Sequence, residues 1–357
     1  MTEKDRLVLI KEVGEEIIVE EDLISLLEKK KSFIAYDGFE PSGQVHIAQG
    51  ILRAINVNKM IKAGATFKML VADWHGWANN KLGGNLEDIQ IAGHYLIEVW
   101  KACGMDMKHV EFVWANDFMK DPEYMKIVMQ VARNSTVKRI LRCGQIMGRK
   151  EGEVLQASQI LYPCMQCADI FYLKADVAQL GMDQRKVNML AREIGDKLGF
   201  WKPVAVHHHM LPGLGKPSSD EKDAIERAID MKMSKSKPDS SIFMTDSTDD
   251  IKRKMNKAYC LEGDIKDNPV LEYCKYLIFE KFPVFKIERP EKFGGNLEFK
   301  SYQELQDAFE KKLLHPMDLK VAVAIHLDKL IDPVRKHFAS GKPKELLDKV
   351  KSFEVTR

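Results

Sequence analysis

The stretch FIAYDGFEPSGQVHIAQG, residues 33–50, decides the fold of this chain. It begins with Phe33-Ile34-Ala35-Tyr36, a short run of β-forming residues, and continues into the turn-forming residues Asp37-Gly38 and Pro41-Ser42-Gly43. Periodic apolar residues then predict a helix over residues 47–63. The stretch therefore predicts a strand, a tight turn and a helix, which together are the repeating unit of parallel α/β sheets.

The same alternation continues on both sides of this stretch. Further strands are predicted at 67–72, 110–114, 172–178 and 204–208, further helices at 85–103 and 182–198, and helical segments over 122–144. Beyond residue 246 the pattern is mostly helical, with helices predicted at 248–259, 270–279, 302–311, 317–330 and 343–353. We therefore predict an α/β domain with a parallel sheet over residues 1–245, followed by an all-helical domain over residues 246–357.

The composition excludes several classes of protein. The 357 residues are 45% hydrophobic, which is enough to close a core and excludes a disordered tail. The net charge of +2 gives no overall attraction to nucleic acid, although the charge is uneven. The charged residues are all acidic from residue 12 to residue 28 and all basic from residue 133 to residue 150. No membrane span or signal peptide is predicted, and six scattered cysteines indicate the reduced thiols of a cytosolic protein.

The turn after the first predicted strand lies where parallel sheets bind ligands, at the carboxyl end of the strand. Gly43 allows close backbone approach, and the following helix offers free N–H groups to a phosphate. His46 would then donate a hydrogen bond to a phosphate oxygen. A histidine at a turn is as often a plain surface or capping residue, so this turn alone leaves both interpretations open.

A second string, Lys232-Met233-Ser234-Lys235-Ser236-Lys237-Pro238, places lysines between small hydroxyl residues. Such a cationic loop can neutralise the charge that develops on a leaving pyrophosphate and then withdraw. Two lysines at this spacing usually mark no more than a solvated loop. The complete KMSKS string is much more specific.

Together the two segments resemble the paired signatures of class I aminoacyl-tRNA synthetases, and the resemblance extends over the whole chain. It implies a Rossmann-like catalytic domain at 1–245, with a dimerisation and acceptor-stem insertion at about 110–160. It also implies a helical anticodon-binding domain at 246–357, ATP with Mg²⁺, and a cytosolic homodimer whose interface includes residues 110–129. One departure concerns the first signature, in which Ala48 and Gln49 replace the usual Gly and second His.

A third segment, Tyr162-Pro163-Cys164-Met165-Gln166-Cys167-Ala168-Asp169, places Tyr162, Gln166 and Asp169 on one face of a helix. It resembles the YPxxQxxD signature of tyrosyl-tRNA synthetases of the archaeal and eukaryotic cytosolic type. Residues 181–186, GMDQRK, resemble a GxDQRK segment of the same group. The Cys164–Cys167 spacing has no second cysteine pair nearby, so no zinc or other metal site is predicted.

The tyrosyl resemblance implies a role for each matching residue. Tyr36 and Asp169 would bind the phenolic hydroxyl of tyrosine, and Tyr162, Gln166 and Gln184 would bind its α-amino end. Phenylalanine would leave the first two groups buried without a partner. The residues implied to contact ATP are Pro41, Gly43, His46, Gln49, Lys232, Ser234 and Lys235, of which His46, Lys232 and Lys235 are the catalytic ones.

Two further groups of residues are implied to contact tRNA. Arg142, Arg185 and Lys186 would approach the first base pair of the acceptor stem, and the bases at 133–150 support phosphate contacts there. On a helix, the spacing places Lys138, Arg142 and Arg149 near one face. Phe293, His315 and Asp318 would read the anticodon by stacking and hydrogen bonding, although the last two also suit an ordinary helix start.

Three alternatives remain open at this stage. A tryptophanyl-tRNA synthetase shares both nucleotide signatures, but the carboxylate of Asp169 favours a phenol over an indole. A non-catalytic RNA-binding paralog would not need the intact lysine string and tyrosine signature. A small-molecule adenylyltransferase of the same fold would not need the basic stretch at 133–150 or the helical C-terminal domain.

Overall fold

A six-stranded sheet with helices on both faces forms the first two thirds of the chain. The computed structural model describes residues 1–147, 155–217, 231, 233 and 238–354. The strands within these residues are β1 (Gly14–Ile18), β2 (Phe33–Phe39), β3 (Ala65–Val71), β4 (Val110–Trp114), β5 (Val177–Gly181), β6 (Val204–His208), β7 (Phe285–Ile287) and β8 (Leu297–Phe299).

The helices that connect these strands are mostly short and capped. They are α1 (Glu3–Val13), α2 (Glu20–Lys29), α3 (Arg53–Lys62), α4 (Asp73–Ala78), α5 (Leu86–Ala102), α6 (Ala115–Phe118), α7 (Pro122–Arg133), α8 (Val137–Cys143), α9 (Ala157–Tyr172), α10 (Arg185–Ile194), α11 (Thr248–Lys257), α12 (Pro269–Tyr273), α13 (Phe279–Lys281), α14 (Tyr302–Glu310), α15 (Pro316–His337) and α16 (Gly341–Ser352). Single π-helical turns occur at Ala48–Leu52 and Cys274–Ile278. Turns of 3₁₀ helix occur at Lys81–Gly84, Gly144–Met147, Met182–Gln184, Asp196–Leu198, Pro238–Ser240 and Glu291–Phe293.

The strand order of the large sheet is β1-β6-β5-β2-β3-β4. All neighbours from β6 to β4 are parallel, which confirms the predicted α/β sheet, and only the edge strand β1 runs antiparallel, against β6. The chain leaves β2 toward β3 and β4, then returns to add β5 and β6 on the other side of β2. Strand order therefore reverses between β2 and β5, and ligands of such sheets bind at the carboxyl ends of the strands at this point.

Alternate residues of the central strands enter two different hydrophobic clusters. Ala35 and Met69 belong to the cluster that also contains α1, α3 and α5, whereas Tyr36 and Leu70 belong to the cluster formed with α7, α9 and α10. This is the two-sided burial expected of a parallel sheet. It directs Tyr36 toward α9, which carries the YPxxQxxD signature.

The strand predicted at 172–178 was wrong in its bounds. It begins only at Val177, because Tyr172 is the last residue of α9 and Lys174 then takes a left-handed φ of 57°. The helical segments predicted at 122–144 are two helices, α7 and α8. The break between them is explained by Thr136, whose side chain caps α8 by accepting a hydrogen bond from the Arg139 amide.

The C-terminal region is helical, as predicted, with one addition. Strands β7 and β8 form an antiparallel pair, and the glycine-rich segment between them includes Gly294 and Gly295, both with positive φ. Helix α15 continues to His337, past its predicted end, with Pro333 inside it. The first hydrophobic cluster extends from Ile10 to Val350, and the domain division at residue 245 stays a prediction. No helix in the described ranges is long and apolar enough to cross a membrane.

Candidate active site and tRNA-contacting surfaces

Asp169 lies at the centre of the predicted tyrosine site and is completely buried on α9. Its Oδ2 atom accepts a hydrogen bond from the Tyr36 hydroxyl at 3.3 Å, and its Oδ1 atom accepts one from the Tyr124 hydroxyl at 2.9 Å. Nε2 of His75 lies 2.9 Å from Oδ2. A carboxylate offers about four lone-pair directions. Groups from β2, α7 and α4 therefore hold Asp169 and still leave room for a ligand hydroxyl.

The surroundings of Asp169 keep the two phenols protonated. Burial, followed by the charge of Asp169, raises the pKa of Tyr36 and of Tyr124 well above the usual value. Burial alone would lower the pKa of His75, but the nearby carboxylates, Asp169 first among them, raise it overall. The phenols therefore stay protonated and donate to Asp169 at neutral pH.

The residues implied for the α-amino end of tyrosine lie beside this centre. Nε2 of Gln166 donates to Oε1 of Gln184 at 3.0 Å, and Nε2 of Gln184 donates to the carbonyl of Ile146 at 3.3 Å. Tyr162 is buried, and its ring meets the His75 ring edge to face at a centroid distance of 5.4 Å. The three predicted residues thus line one connected surface next to Asp169, with amide and hydroxyl groups suited to an ammonium group.

Two of these site residues were not assigned to the site by the sequence analysis. Tyr124 lies within the predicted insertion and has no signature around it, so no local pattern indicates its contact with Asp169. His75 follows β3 in the short helix α4, at the carboxyl edge of the sheet. In the sequence, His75 is marked only by its position shortly after a buried strand. A residue that merely caps the end of a strand has the same position.

The first of the two signatures, which contains Gly43 and His46, forms the turn between β2 and α3. Gly43 has a φ of 102°, which favours glycine, and Pro41 is buried. The carbonyl of His46 accepts hydrogen bonds from the amides of Gln49 and Gly50, at 2.9 and 3.0 Å, and so begins the helical turn that leads into α3. The backbone of His46 also forms a β-bridge with Phe243, which holds the turn against a segment much later in the chain.

Gln49, which replaces the usual second histidine of this signature, is held by its backbone. Its carbonyl accepts a hydrogen bond from the indole of Trp100 at 2.8 Å. Its side-chain Oε1 atom is buried and has no hydrogen-bond partner among the residues that the structure describes. A buried amide oxygen without a partner is costly, so a donor on a ligand would satisfy this atom.

The KMSKS string lies outside the described residues except for Met233, so the structure gives no positions for Lys232, Ser234 and Lys235. The residues flanking the string are described. The carbonyl of Met231 accepts from the Gly213 amide at 2.7 Å, and the carbonyl of Ser240 accepts from the Leu214 amide at 2.9 Å. One short segment, residues 213–214, therefore holds both ends of the string.

A buried polar cluster connects β2 and β5, the two strands between which the strand order reverses. The sequence analysis did not predict this cluster. The Arg53 guanidinium lies 3.3 Å from Oδ2 of Asp37 on β2, and it also contacts Gln179 on β5. His208 approaches the same guanidinium, with its Nδ1 at 3.1 Å. Burial raises the pKa of Asp37 to about 7, although Arg53 opposes this shift. The cluster holds the carboxyl ends of β2 and β5 in a defined relative position.

The residues implied for the acceptor stem lie on two helices that pack together. Arg142 is exposed on α8, while Arg185 and Lys186 begin α10, directly after Gln184 of the amino-acid site. The Arg139 guanidinium joins the two helices by donating to the carbonyl of Lys186 at 3.4 Å. Its ion pair with Glu193 removes Arg139 from the set of available bases. The three predicted residues, Arg142, Arg185 and Lys186, thus lie on two neighbouring helices, α8 and α10.

The prediction that Arg149 shares a helix face with Arg142 was wrong in its premise. Helix α8 ends at Cys143 and is followed by a 3₁₀ turn, so helical spacing does not extend from Arg142 to residue 149. Arg149 and Lys150 themselves lie outside the described residues.

The residues implied for the anticodon come together near the β7–β8 pair. Phe293 is 60% exposed, and the Lys292 ammonium lies 4.9 Å from the centre of its ring. His315 caps α15 by accepting a hydrogen bond from the Met317 amide at 3.2 Å. Arg289 joins the two segments: it donates to the carbonyl of Gly295 at 2.9 Å, and it lies 3.9 Å from a carboxylate oxygen of Asp318. An exposed aromatic ring and a carboxylate are therefore held on one surface.

Comparisons with known proteins agree with this arrangement. A family model described as tRNA synthetases class I (W and Y) matches residues 28–332. Tyrosine–tRNA ligase 2, cytoplasmic, of Arabidopsis thaliana is 50% identical over 98% of this chain, which spans 46% of that protein. Tyrosine–tRNA ligase 1, cytoplasmic, of the same plant is 49% identical over 98% of this chain and 89% of its own length. The crystal structure of the Pyrococcus horikoshii tyrosyl-tRNA synthetase complexed with L-tyrosine has a TM-score of 0.92 and 38% identity, covering 99% of this chain and 100% of that one.

The fold, the reversal-point site and these similarities define an aminoacyl-tRNA synthetase of class I, and the protein is an enzyme. The chain belongs to the family of class I tRNA synthetases that comprises the tryptophan and tyrosine enzymes.

Proposed function

We propose that this chain is a tyrosine–tRNA ligase, which activates L-tyrosine with ATP and transfers it to the 3′ end of its tRNA. The observation that carries the choice of tyrosine is the buried carboxylate of Asp169, which faces the hydroxyls of Tyr36 and Tyr124. A phenol entering this site can donate its O–H to Asp169. An indole N–H can only donate a hydrogen bond, whereas a phenol hydroxyl can donate to Asp169 and also accept from a neighbouring hydroxyl.

The first reaction forms a mixed anhydride. A carboxylate oxygen of tyrosine attacks the α-phosphorus of ATP in line, the bond to the β-phosphate oxygen breaks, and pyrophosphate leaves. Catalysis of such a step depends on positioning and on positive charge where the leaving group gains negative charge. Lys232 and Lys235 would supply that charge, and His46 would donate a hydrogen bond to a phosphate oxygen. Pro41, Gly43, Gln49 and Ser234 would complete the ATP site.

Mg²⁺ would enter as part of the ATP complex, coordinated by phosphate oxygens. The described residues contain no group of three or more His, Cys, Asp or Glu side chains arranged to hold a metal. The second reaction then transfers tyrosine from the adenylate to a terminal ribose hydroxyl of tRNA, with AMP as the leaving group. Arg142, Arg185 and Lys186 would bind the acceptor stem, and Phe293, His315 and Asp318 would bind the anticodon.

The homodimer is part of the same proposal. Helices α7 and α8 both pack against α9. These three helices carry apolar side chains that are 39–65% exposed, namely Met125 and Met129 on α7, Val137 and Leu141 on α8, and Leu161 on α9. A second copy of the chain would cover such a surface, which overlaps the interface predicted at 110–129. Replacing Met129 by Lys is expected to shift the sedimentation coefficient from that of a dimer toward that of a monomer.

Location in the cytoplasm is supported by the names of the two plant relatives. The division into a catalytic part at 1–245 and an anticodon-binding part at 246–357 likewise belongs to this proposal. It is supported by the position of Phe293, His315 and Asp318, all of which lie in sequence beyond that division.

The deciding experiment is ATP–pyrophosphate exchange with tyrosine, tryptophan or phenylalanine, followed by charging of tRNA. Tyrosine-dependent exchange with charging of a tyrosine tRNA is the expected result. Stimulation by tryptophan alone would identify the tryptophanyl alternative. Binding of tRNA by folded protein without any exchange would identify a non-catalytic paralog, and exchange without charging of any tRNA would identify a small-molecule adenylyltransferase.

A further inference from the structure

Glu16 holds the guanidinium of Arg185 from one side. Nε of Arg185 donates to both carboxylate oxygens of Glu16, at 3.0 and 2.8 Å, and the two side chains are 34% and 29% exposed. No hydrogen bond is made by the terminal nitrogens of Arg185 to any residue that the structure describes. The side of the guanidinium that suits phosphates and base edges is therefore available.

A buried histidine, His207, in turn holds the carboxylate of Glu16. It lies on the edge strand β1, directly opposite His207 of β6 in the strand register. Nδ1 of His207 lies 2.8 Å from Oε2 of Glu16, and Nε2 of the same ring lies 3.0 Å from the side-chain nitrogen of Asn188. The neutral tautomer with its proton on Nδ1 fits both contacts, because Nδ1 then donates to Glu16 and Nε2 accepts from the Asn188 amide.

The charges in this group have a definite arrangement. Burial lowers the pKa of His207, although Glu16 opposes the shift, so the ring stays neutral at physiological pH. Arg185 and His207 lower the pKa of Glu16 despite partial burial, so the carboxylate stays ionised. The negative charge of Glu16 is therefore directed at Arg185, and the histidine acts as a fixed hydrogen-bond donor.

We propose that Glu16 is a positioning residue for tRNA, which orients Arg185 so that its terminal nitrogens face the acceptor end. This inference rests on the proposed function, in which Arg185 binds the acceptor stem. Arg185 follows Gln184 of the amino-acid site directly, so a guanidinium fixed here lies close to where the 3′ end of tRNA must arrive. A pre-oriented arginine loses less conformational freedom on binding than a mobile one.

The test is the Glu16→Gln variant, which keeps the size of the side chain and removes its charge. The KM for tRNA is expected to rise about tenfold, as the loss of a charge-assisted hydrogen bond allows, while kcat for charging changes less than about twofold. ATP–pyrophosphate exchange, which does not involve tRNA, is expected to keep its rate. The matched control is Glu15→Gln, because Glu15 is the neighbour of Glu16 on β1 and pairs with His209 instead of an arginine.

Two further variants separate the possible failures. Arg185→Ala should raise the KM for tRNA, and the double variant should resemble Arg185→Ala alone if Glu16 acts only through Arg185. If Arg185→Ala raises the KM and Glu16→Gln does not, the positioning role is refuted and the proposed function stands. If neither raises it, the acceptor-stem role of Arg185 fails, and the positioning role fails with it. A lower KM in Glu16→Gln would mean that Glu16 competes with RNA for Arg185, which also overturns the proposal.

Discussion

The amide nitrogen of Ile47 lies 2.8 Å from the carbonyl oxygen of Ile242. A second bond of this kind, from the Met244 amide to the Val45 carbonyl at 2.9 Å, lies beside it. These contacts join the turn that carries His46 to the segment that follows the lysine string in sequence. The turn of the first signature is thus held against the segment that follows the second signature, although the two are distant in the chain.

Replacing Gly213 is expected to slow activation, because residues 213–214 hold both flanks of the lysine string. A Cβ atom at Gly213 would lie 2.9 Å from the Ser240 carbonyl and 3.3 Å from that of Met231, so Gly213→Ala must shift one or both flanks of the lysine string. Misplacement of catalytic groups by about 1 Å can cost on the order of a hundredfold in rate. We expect kcat for ATP–pyrophosphate exchange to fall about tenfold or more, with the Kd of tyrosine unchanged.

Gly215→Ala is the matched control for this prediction, because a Cβ atom at Gly215 meets nothing within 4 Å. Equal exchange rates in the two alanine variants would contradict the anchoring role of Gly213.

Asp169→Ala is expected to damage the choice of amino acid more than the binding of ATP. The change removes the acceptor for the substrate hydroxyl and leaves the hydroxyls of Tyr36 and Tyr124 without their shared partner. The ratio of kcat/KM for tyrosine to that for phenylalanine should fall by more than an order of magnitude, which corresponds to more than about 1.4 kcal/mol. A variant that still rejects phenylalanine as fully as the unchanged enzyme would refute the role given to Asp169.

Tyr124→Phe tests the residue that sequence reasoning missed. It removes one donor to Asp169 while keeping the ring in the core, so a loss of about 1 kcal/mol in tyrosine binding is expected, or roughly fivefold in Kd. Isothermal titration with tyrosine measures this directly. Tyr172→Phe serves as the control, because its hydroxyl donates to Asp121 instead. Similar Kd values in the two variants would show that Tyr124 has no part in the site.

The stability of the fold should depend on pH through His209. This ring lies 3.1 Å from Glu15 and 2.5 Å from Glu272, and it stacks on Tyr276. Burial lowers the pKa of His209, but the two carboxylates outweigh burial and raise it to about 9. Because this pKa is higher in the folded state, the stabilisation is complete below about pH 6.5 and is lost as the pH rises toward 9.

His209→Gln should therefore lower the free energy of unfolding by ~2 kcal/mol at pH 6 and by much less above pH 9. Urea unfolding of both proteins across this range provides the measurement. A difference between the two proteins that does not vary with pH would rule out the titration of His209 as its cause.

The sequence alone was sufficient for the elements that depend on local pattern. The strands at 110–114 and 204–208 have the predicted bounds, and the helix predicted at 85–103 begins at its Asn85 cap. Helix α9 presents Tyr162, Gln166 and Asp169 on one side because helical spacing leaves no other arrangement. The signatures, being short and specific, led to the family that the comparisons confirm. All of these features are determined within a few residues of chain.

Only the tertiary structure decided how those pieces meet. The edge strand β1 has no strong local signal, and its pairing with β6 brings Glu16 to His207 and Arg185. Tyr124 and Asp169 come from separate helices, so no spacing in the sequence relates them. Long-range contacts of this kind depend on which surfaces bury together, and that follows from packing and charge in three dimensions. The amino-acid pattern therefore determined which chemistry this protein carries, and the fold decided which further residues hold that chemistry in place.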